Sequence, residues 1–240
     1  VAVLIWQGSK FFYFPVRSGS SPLGEEYGKM LPMFKSVQWK TFPRDFLIAQ
    51  IGFAIYGLAI ALIIQVELGT GPWAVLAVAL ADLTGTTPGT MVILSGLVVL
   101  GGAVALKEQI GWGTVGNILF IGLWLDLFLT LIPSLEGNLV LQTEGLLISI
   151  LLSGIATAVY LSVNAGAGPR DSLMLAVSRV TGKSIRLSRV VIEVLVVFLG
   201  WLLDGPVGIG TLMFALLIGP AVQGSFRLFN VQPHREKEED

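Results

Sequence analysis

Apolar residues fill this chain in runs near twenty residues long, broken by short stretches of Gly, Pro, Thr and charge. A run of that length crosses a bilayer as one helix. The pattern predicts six spans, at about 46–66, 88–106, 112–132, 145–164, 187–203 and 207–227. Two shorter helical pieces lie between them, at about 72–84 and 169–181. Their length suits a re-entrant or interfacial segment better than a full crossing. Each opens on Gly-Pro (Gly71-Pro72, Gly168-Pro169) and closes on Thr-Gly (Thr84-Gly85, Thr181-Gly182). Pro fits the first helical position and Gly the position just past the last.

The polar punctuation repeats. Gly69, Gly71 and Pro72 return as Gly166, Gly168 and Pro169, an offset of 166 − 69 = 97 residues. Gly111, Gly113 and Thr114 return as Gly208, Gly210 and Thr211, Gly57 as Gly154, and Gly122 as Gly219. Without a gap, about 51–126 and 148–223 share roughly a quarter of their residues, the mark of an internal duplication. Each unit reads as span, short helix, span, span, with repeat 1 at about 46–132 and repeat 2 at about 145–227. Three crossings per unit is odd, so the second unit enters the membrane upside down. The expected fold is therefore all-α: a polytopic membrane bundle of about six transmembrane helices, built from two inverted repeats with one short helix each.

Charge supports that orientation, because basic residues favour the cytoplasmic side. Lys35, Lys40 and Arg44 place the N-terminus in the cytoplasm. Lys107, then Arg170, Arg179, Lys183, Arg186 and Arg189, then Arg227, Arg235 and Lys237 all fall on that side. The outer segments carry Glu136, Glu144 and Asp204 and no Lys or Arg. Eight full crossings would send the five basic residues of 165–189 outward.

The composition fits a lipid environment: 54% hydrophobic, 13% charged, mean hydropathy +0.80. Soluble domains carry about 25% charged residues. A net charge of −1 gives no nucleic-acid signal, and the absence of Cys excludes disulfides and thiolate chemistry. His234, the only histidine, sits in the charged tail 230–240, which argues against His catalysis and multi-His metal sites. No metal and no cofactor is expected. Residues 1–44 differ from the rest and form an N-terminal segment ahead of the membrane domain at 45–229. Val1–Trp6 and Phe11–Phe14 are apolar but too short to span. The chain opens on Val, so either it is a fragment or translation starts at Met30 or Met33, which leaves 1–29 outside the native coding sequence.

Seven residues are candidates for a ligand or ion pathway: Asp126, Asn117, Gln223, Arg170, Asp171, Arg189 and Glu193. Asp126 lies deep in the third span, where a carboxylate costs about 2.5–3.5 kcal/mol on insertion scales. Proton coupling and a structural hydrogen bond to a neighbouring helix both fit it. Gln223 is its repeat counterpart, and Asn117 lies on the same helix. Arg170 and Asp171 follow the second Gly-Pro, where free N–H groups and the helix dipole suit an anion. Packing by small residues explains the same glycines equally well. Arg189 and Glu193 are four apart and share a helix face. Their pairing serves either insertion or a polar pathway. Thr114 and Thr211, after Gly-x-Gly, read as N-caps.

The motifs together resemble the bacterial YczE/YyaS/YitT-type membrane proteins, closest to the YczE-like branch. Leu68–Trp73, Thr84–Thr90 and Gly111–Asn117 carry the likeness in the first half. Gly166–Met174, Arg186–Arg189 and Gly208–Pro220 carry it in the second. It covers about 45–226. The family pattern usually has Asp two residues after the first Gly-Pro. Here that position is Ala74, whereas the second-copy Asp171 is retained. The resemblance implies an integral plasma-membrane protein and no particular reaction.

Two functional readings follow. The first is a permease for a small solute or ion, resting on the inverted repeat, the paired short helices and the buried Asp126. The second is a non-transporting membrane scaffold or accessory factor. An enzyme is not expected, since no catalytic constellation is visible. The expected partners are the lipid bilayer and a small solute or ion. A homo-oligomer is compatible, and nucleic acid is not expected.

Overall fold

The computed structural model describes residues 2–7, 10–15, 35 and 37–231. Met30, Met33 and the tail with His234 lie outside the described residues. The two short apolar stretches at the start pair as an antiparallel hairpin, β1 (Ala2–Gln7) and β2 (Lys10–Pro15), with Gln7 opposite Lys10.

Among the described residues eight helices follow: α1 (Phe42–Gln65), α2 (Pro72–Thr84), α3 (Pro88–Ala105), α4 (Trp112–Leu131), α5 (Leu139–Ser162), α6 (Pro169–Thr181), α7 (Ile185–Leu202) and α8 (Ile209–Leu228). Among the described residues, five are long and apolar enough to cross a membrane: α1, α3, α4, α5 and α8. The expected sixth, α7, matches α3 in length but carries Arg186, Arg189 and Glu193. Pro stands in the first turn of α1, α2, α3 and α6, where its missing N–H costs nothing. Thr87, Asn138 and Ser184 cap α3, α5 and α7 by accepting from the backbone N–H three residues on.

Thr114 and Thr211 are not the caps themselves. The N-cap positions are Gly111 and Gly208, and each Thr, three residues in, accepts from the cap's own N–H at 3.3 and 3.2 Å. Glycine is needed at the caps because another backbone lies against them. A Cβ on Gly111 would overlap the Ala165 carbonyl oxygen, and one on Gly208 the Leu68 carbonyl oxygen. The same two carbonyls accept from Gly113 N–H at 2.9 Å and Gly210 N–H at 2.7 Å.

These contacts recur at the offset of 97, with the halves exchanged. The loop before α2 docks on the start of α8, and the loop before α6 docks on the start of α4. Backbone conformation repeats too. Glu67 and Asn164 have φ of 56° and 51°, Lys107 and Asp204 have 60° and 59°, and Gly69 and Gly166 have 97° and 116°. Gly57 packs on Trp124 and Leu125, and Gly154 on Ala221 and Val222, again 97 apart. Such close packing of small residues is what holds helices together where lipid removes the hydrophobic drive.

The loops gather at two ends. At the first, Lys35 donates to Asn164 at 2.7 Å and its backbone N–H to Ile110 O. There Arg179 pairs with Glu108 at 3.2 Å. Burial raises the Glu108 carboxyl above the ordinary carboxylate range, and Arg179 opposes that rise. At the second end Gln65 donates to Ile132 O at 2.6 Å, Gln142 to Val66 O at 2.8 Å and Ser134 to Glu67 at 2.6 Å. The described loop lysines, Lys35, Lys40, Lys107 and Lys183, are at the first end, and the second-end loops carry Glu67, Glu136 and Asp204. Helix α6 terminates beside Leu106 and Glu108 at the first end, while α2 terminates beside the start of α3.

The packing of the third helix of each half on the next is not repeated. Helix α3 packs along α4, but α7 does not pack along α8. Gly122 of α4 lies against Gly89 and Ile93, whereas its counterpart Gly219 has nothing within 4 Å.

Candidate functional site

A cavity of about 110 Å³ lies at the centre, lined by residues from all eight helices. Both Gly-Pro starts face it, Gly71-Pro72 of α2 and Gly168-Pro169 of α6. Long apolar helices alone would build a greasy slot. The charge comes from the short helix α6, with Arg170 and Asp171, and from α7, with Arg189 and Glu193, while the long spans add Asn117, Ser153, Tyr56 and Tyr160.

Trp73 and Arg170 are equivalent positions, 170 − 73 = 97, and they meet. The Arg170 guanidinium carbon sits 4.9 Å from the Trp73 ring centroid. A cation over an aromatic face is attracted by its quadrupole, and more strongly when desolvated. Arg170 makes no hydrogen bond or ion pair with any described residue, and neither does Asp171. Ala74, the counterpart of Asp171, also lines the cavity, so one carboxylate stands where symmetry has places for two. Arg189 Nε donates to Glu193 Oε1 at 3.0 Å, and this i, i+4 pair forms part of the wall. Arg189 and Ala215 line the cavity and are also exposed. The cavity therefore reaches the molecular surface between α7 and α8, where those helices part.

Five of the seven residues singled out from sequence line this cavity: Asn117, Arg170, Asp171, Arg189 and Glu193. Asp126 and Gln223 do not. Asp126 sits against the start of α3, accepting from Thr87 Oγ1 at 2.6 Å and from Gly89 N–H at 2.7 Å. It is the structural hydrogen bond between helices that the sequence left open as one alternative. Gln223 is exposed on α8. Trp73, Tyr56 and Tyr160 were not selected from sequence, because an aromatic ring within an apolar run reads as core or lipid contact. Applying the offset of 97 to Arg170 points to Trp73.

Fold and hydropathy define a multi-pass helical membrane protein whose central cavity carries charged side chains. The chain belongs to a family described as one of unknown function, DUF6198, which matches residues 43–226. It is 36% identical over 196 residues to an uncharacterized protein of Haemophilus influenzae, covering 82% of this chain and 89% of that one. It is 31% identical over 175 residues to the uncharacterized membrane protein YczE of Bacillus subtilis, covering 70% and 79%. The Bacillus subtilis uncharacterized protein YyaS is 31% identical over 173 residues, covering 70% and 86%. These relatives agree with the resemblance drawn from the motifs. No solved structure gives a significant match.

Proposed function

We propose that the protein is a permease for a small solute or ion, working through the central cavity. The observation that carries this is the meeting of two half-length helix starts and unpaired charged side chains in one space inside a membrane bundle. Ionisable groups in that setting mark substrate or ion pathways, and broken helices at a repeat interface are a common transporter plan. In this reading six helices cross, α7 included, because its Arg189–Glu193 pair faces the cavity. The two halves are inverted repeats. Helix α2 returns to the outer face and α6 to the cytoplasmic face, and the basic first end is cytoplasmic with both termini.

The test is flux into proteoliposomes with a panel of small anions, cations and zwitterions. One class is expected to move at a rate above empty vesicles. Ala215→Trp places a ring at the mouth between α7 and α8, at an exposed position that tolerates bulk. It is expected to cut that flux at least ten-fold with no change in thermal midpoint. No flux for any class, together with a partner retained in mild detergent, would replace this reading by that of an accessory factor.

A further inference from the structure

We infer that the central cavity binds a small solute bearing a carboxylate, held by Arg170 and the start of α2. The inference rests on the permease reading and narrows its substrate class. Four observations converge. Arg170 lines the cavity with five N–H donors and no acceptor among the described residues. Its fork matches a carboxylate with two parallel hydrogen bonds. Trp73 holds the guanidinium from one side and is itself nine-tenths buried. Its indole N–H is shut off from solvent and has no hydrogen-bond partner. A buried donor left unmade costs stability, so it points to a group that arrives from outside the chain.

The charge balance decides the sign. Arg189 and Glu193 neutralise each other, and Arg170 and Asp171 cancel formally. Two helix starts then add about +0.5 each. The remaining field is positive and favours an anionic group. Asp171 stands beside it as a free acceptor, placed to take an amino group on the same solute. A space of about 110 Å³ has room for several waters, and so for a solute of a few heavy atoms such as acetate or glycine.

The test is calorimetric titration of the full chain in lipid nanodiscs with acetate, glycine and methylammonium, with proteoliposome flux alongside. Acetate and glycine are expected to bind and methylammonium not to. Arg170→Met is expected to weaken both at least ten-fold, and Arg170→Lys to fall between, since it keeps the charge but not the fork. Asp171→Asn is expected to weaken glycine and spare acetate. If Arg170→Met does not fold, Trp73→Phe keeps an aromatic face beside the guanidinium and removes the N–H with the pyrrole part of the ring, with about three-fold weaker binding expected. Binding of methylammonium alone, or carboxylate binding unchanged in Arg170→Lys and Trp73→Phe, would overturn the inference. Carboxylate binding without flux would remove the permease reading and leave the site. Flux of a cation without carboxylate binding would do the reverse.

Discussion

Gly166→Val is expected to destabilise the fold by about 4 kcal/mol, enough to remove most folded protein from the membrane. Two costs add. Gly166 has φ of +116°, where a β-branched residue carries about 1–3 kcal/mol of strain. Its Cβ would also lie 2.7 Å from Thr114 Oγ1 and 2.9 Å from the Gly111 N and Cα. None of these can move aside cheaply: Gly111 starts α4, and Thr114 Oγ1 donates to Ala167 O at 2.6 Å. Overpacking of this kind costs about 1–3 kcal/mol more. Gly69→Val is expected to fail in the same way against Gly208 and Thr211. Gly182→Ala is the control. Its φ is also positive, but no atom lies within 4 Å, so the cost should be about 1–2 kcal/mol. Size-exclusion profiles and thermal midpoints in detergent would read these differences. Wild-type yield and midpoint for Gly166→Val would contradict the interlocked loops.

Asp126→Ala is expected to lower stability by about 3 kcal/mol while leaving any flux that the permease reading predicts for the folded protein within two-fold. The carboxylate accepts two short hydrogen bonds from the first turn of α3, and hydrogen bonds to charged groups are worth about 1.5–3 kcal/mol each. It also faces a helix start, whose dipole favours negative charge. Asp126→Asn retains an acceptor and should lose about half as much. A proton-coupling role predicts the opposite pattern, in which Asp126→Asn keeps its midpoint and loses flux. Melting curves and flux measured on the same preparations separate the two.

The sequence placed α2 and α6 to the residue, because Gly-Pro and Thr-Gly state both ends of a helix chemically. It placed α5 less well. The polar run Gln142-Thr143-Glu144 reads as loop, which moved the expected start to 145. In the fold Asn138 caps the helix, and Gln142 is buried against Val66 O at 2.8 Å. Helix α1 likewise begins before the expected 46, at Phe42, where Pro43 opens its first turn. Hydropathy reports where lipid begins, whereas helices begin where a cap is. Among the site residues, charge within an apolar run flagged Arg170, Asp171, Arg189 and Glu193. It flagged Asp126 by the same logic, although its partners Thr87 and Gly89 are 39 and 37 residues away and no spacing rule connects them. The parting of α7 from α8 had a faint trace. Gly89 and Asp126, which lock α3 to α4, correspond to Arg186 and Gln223, which cannot make the same clamp.

The central claim is that two equivalent halves enter the membrane in opposite senses and meet at one cavity. Thr84 and Thr181 end the two short helices, 181 − 84 = 97 residues apart, and both are exposed. The chain has no Cys, so Thr84→Cys and Thr181→Cys can each be made as the only thiol. With a membrane-impermeant maleimide on intact cells, Thr84→Cys is predicted to label from outside. Thr181→Cys is predicted to label only after the membrane is opened. Labelling of both from the same side would contradict the account.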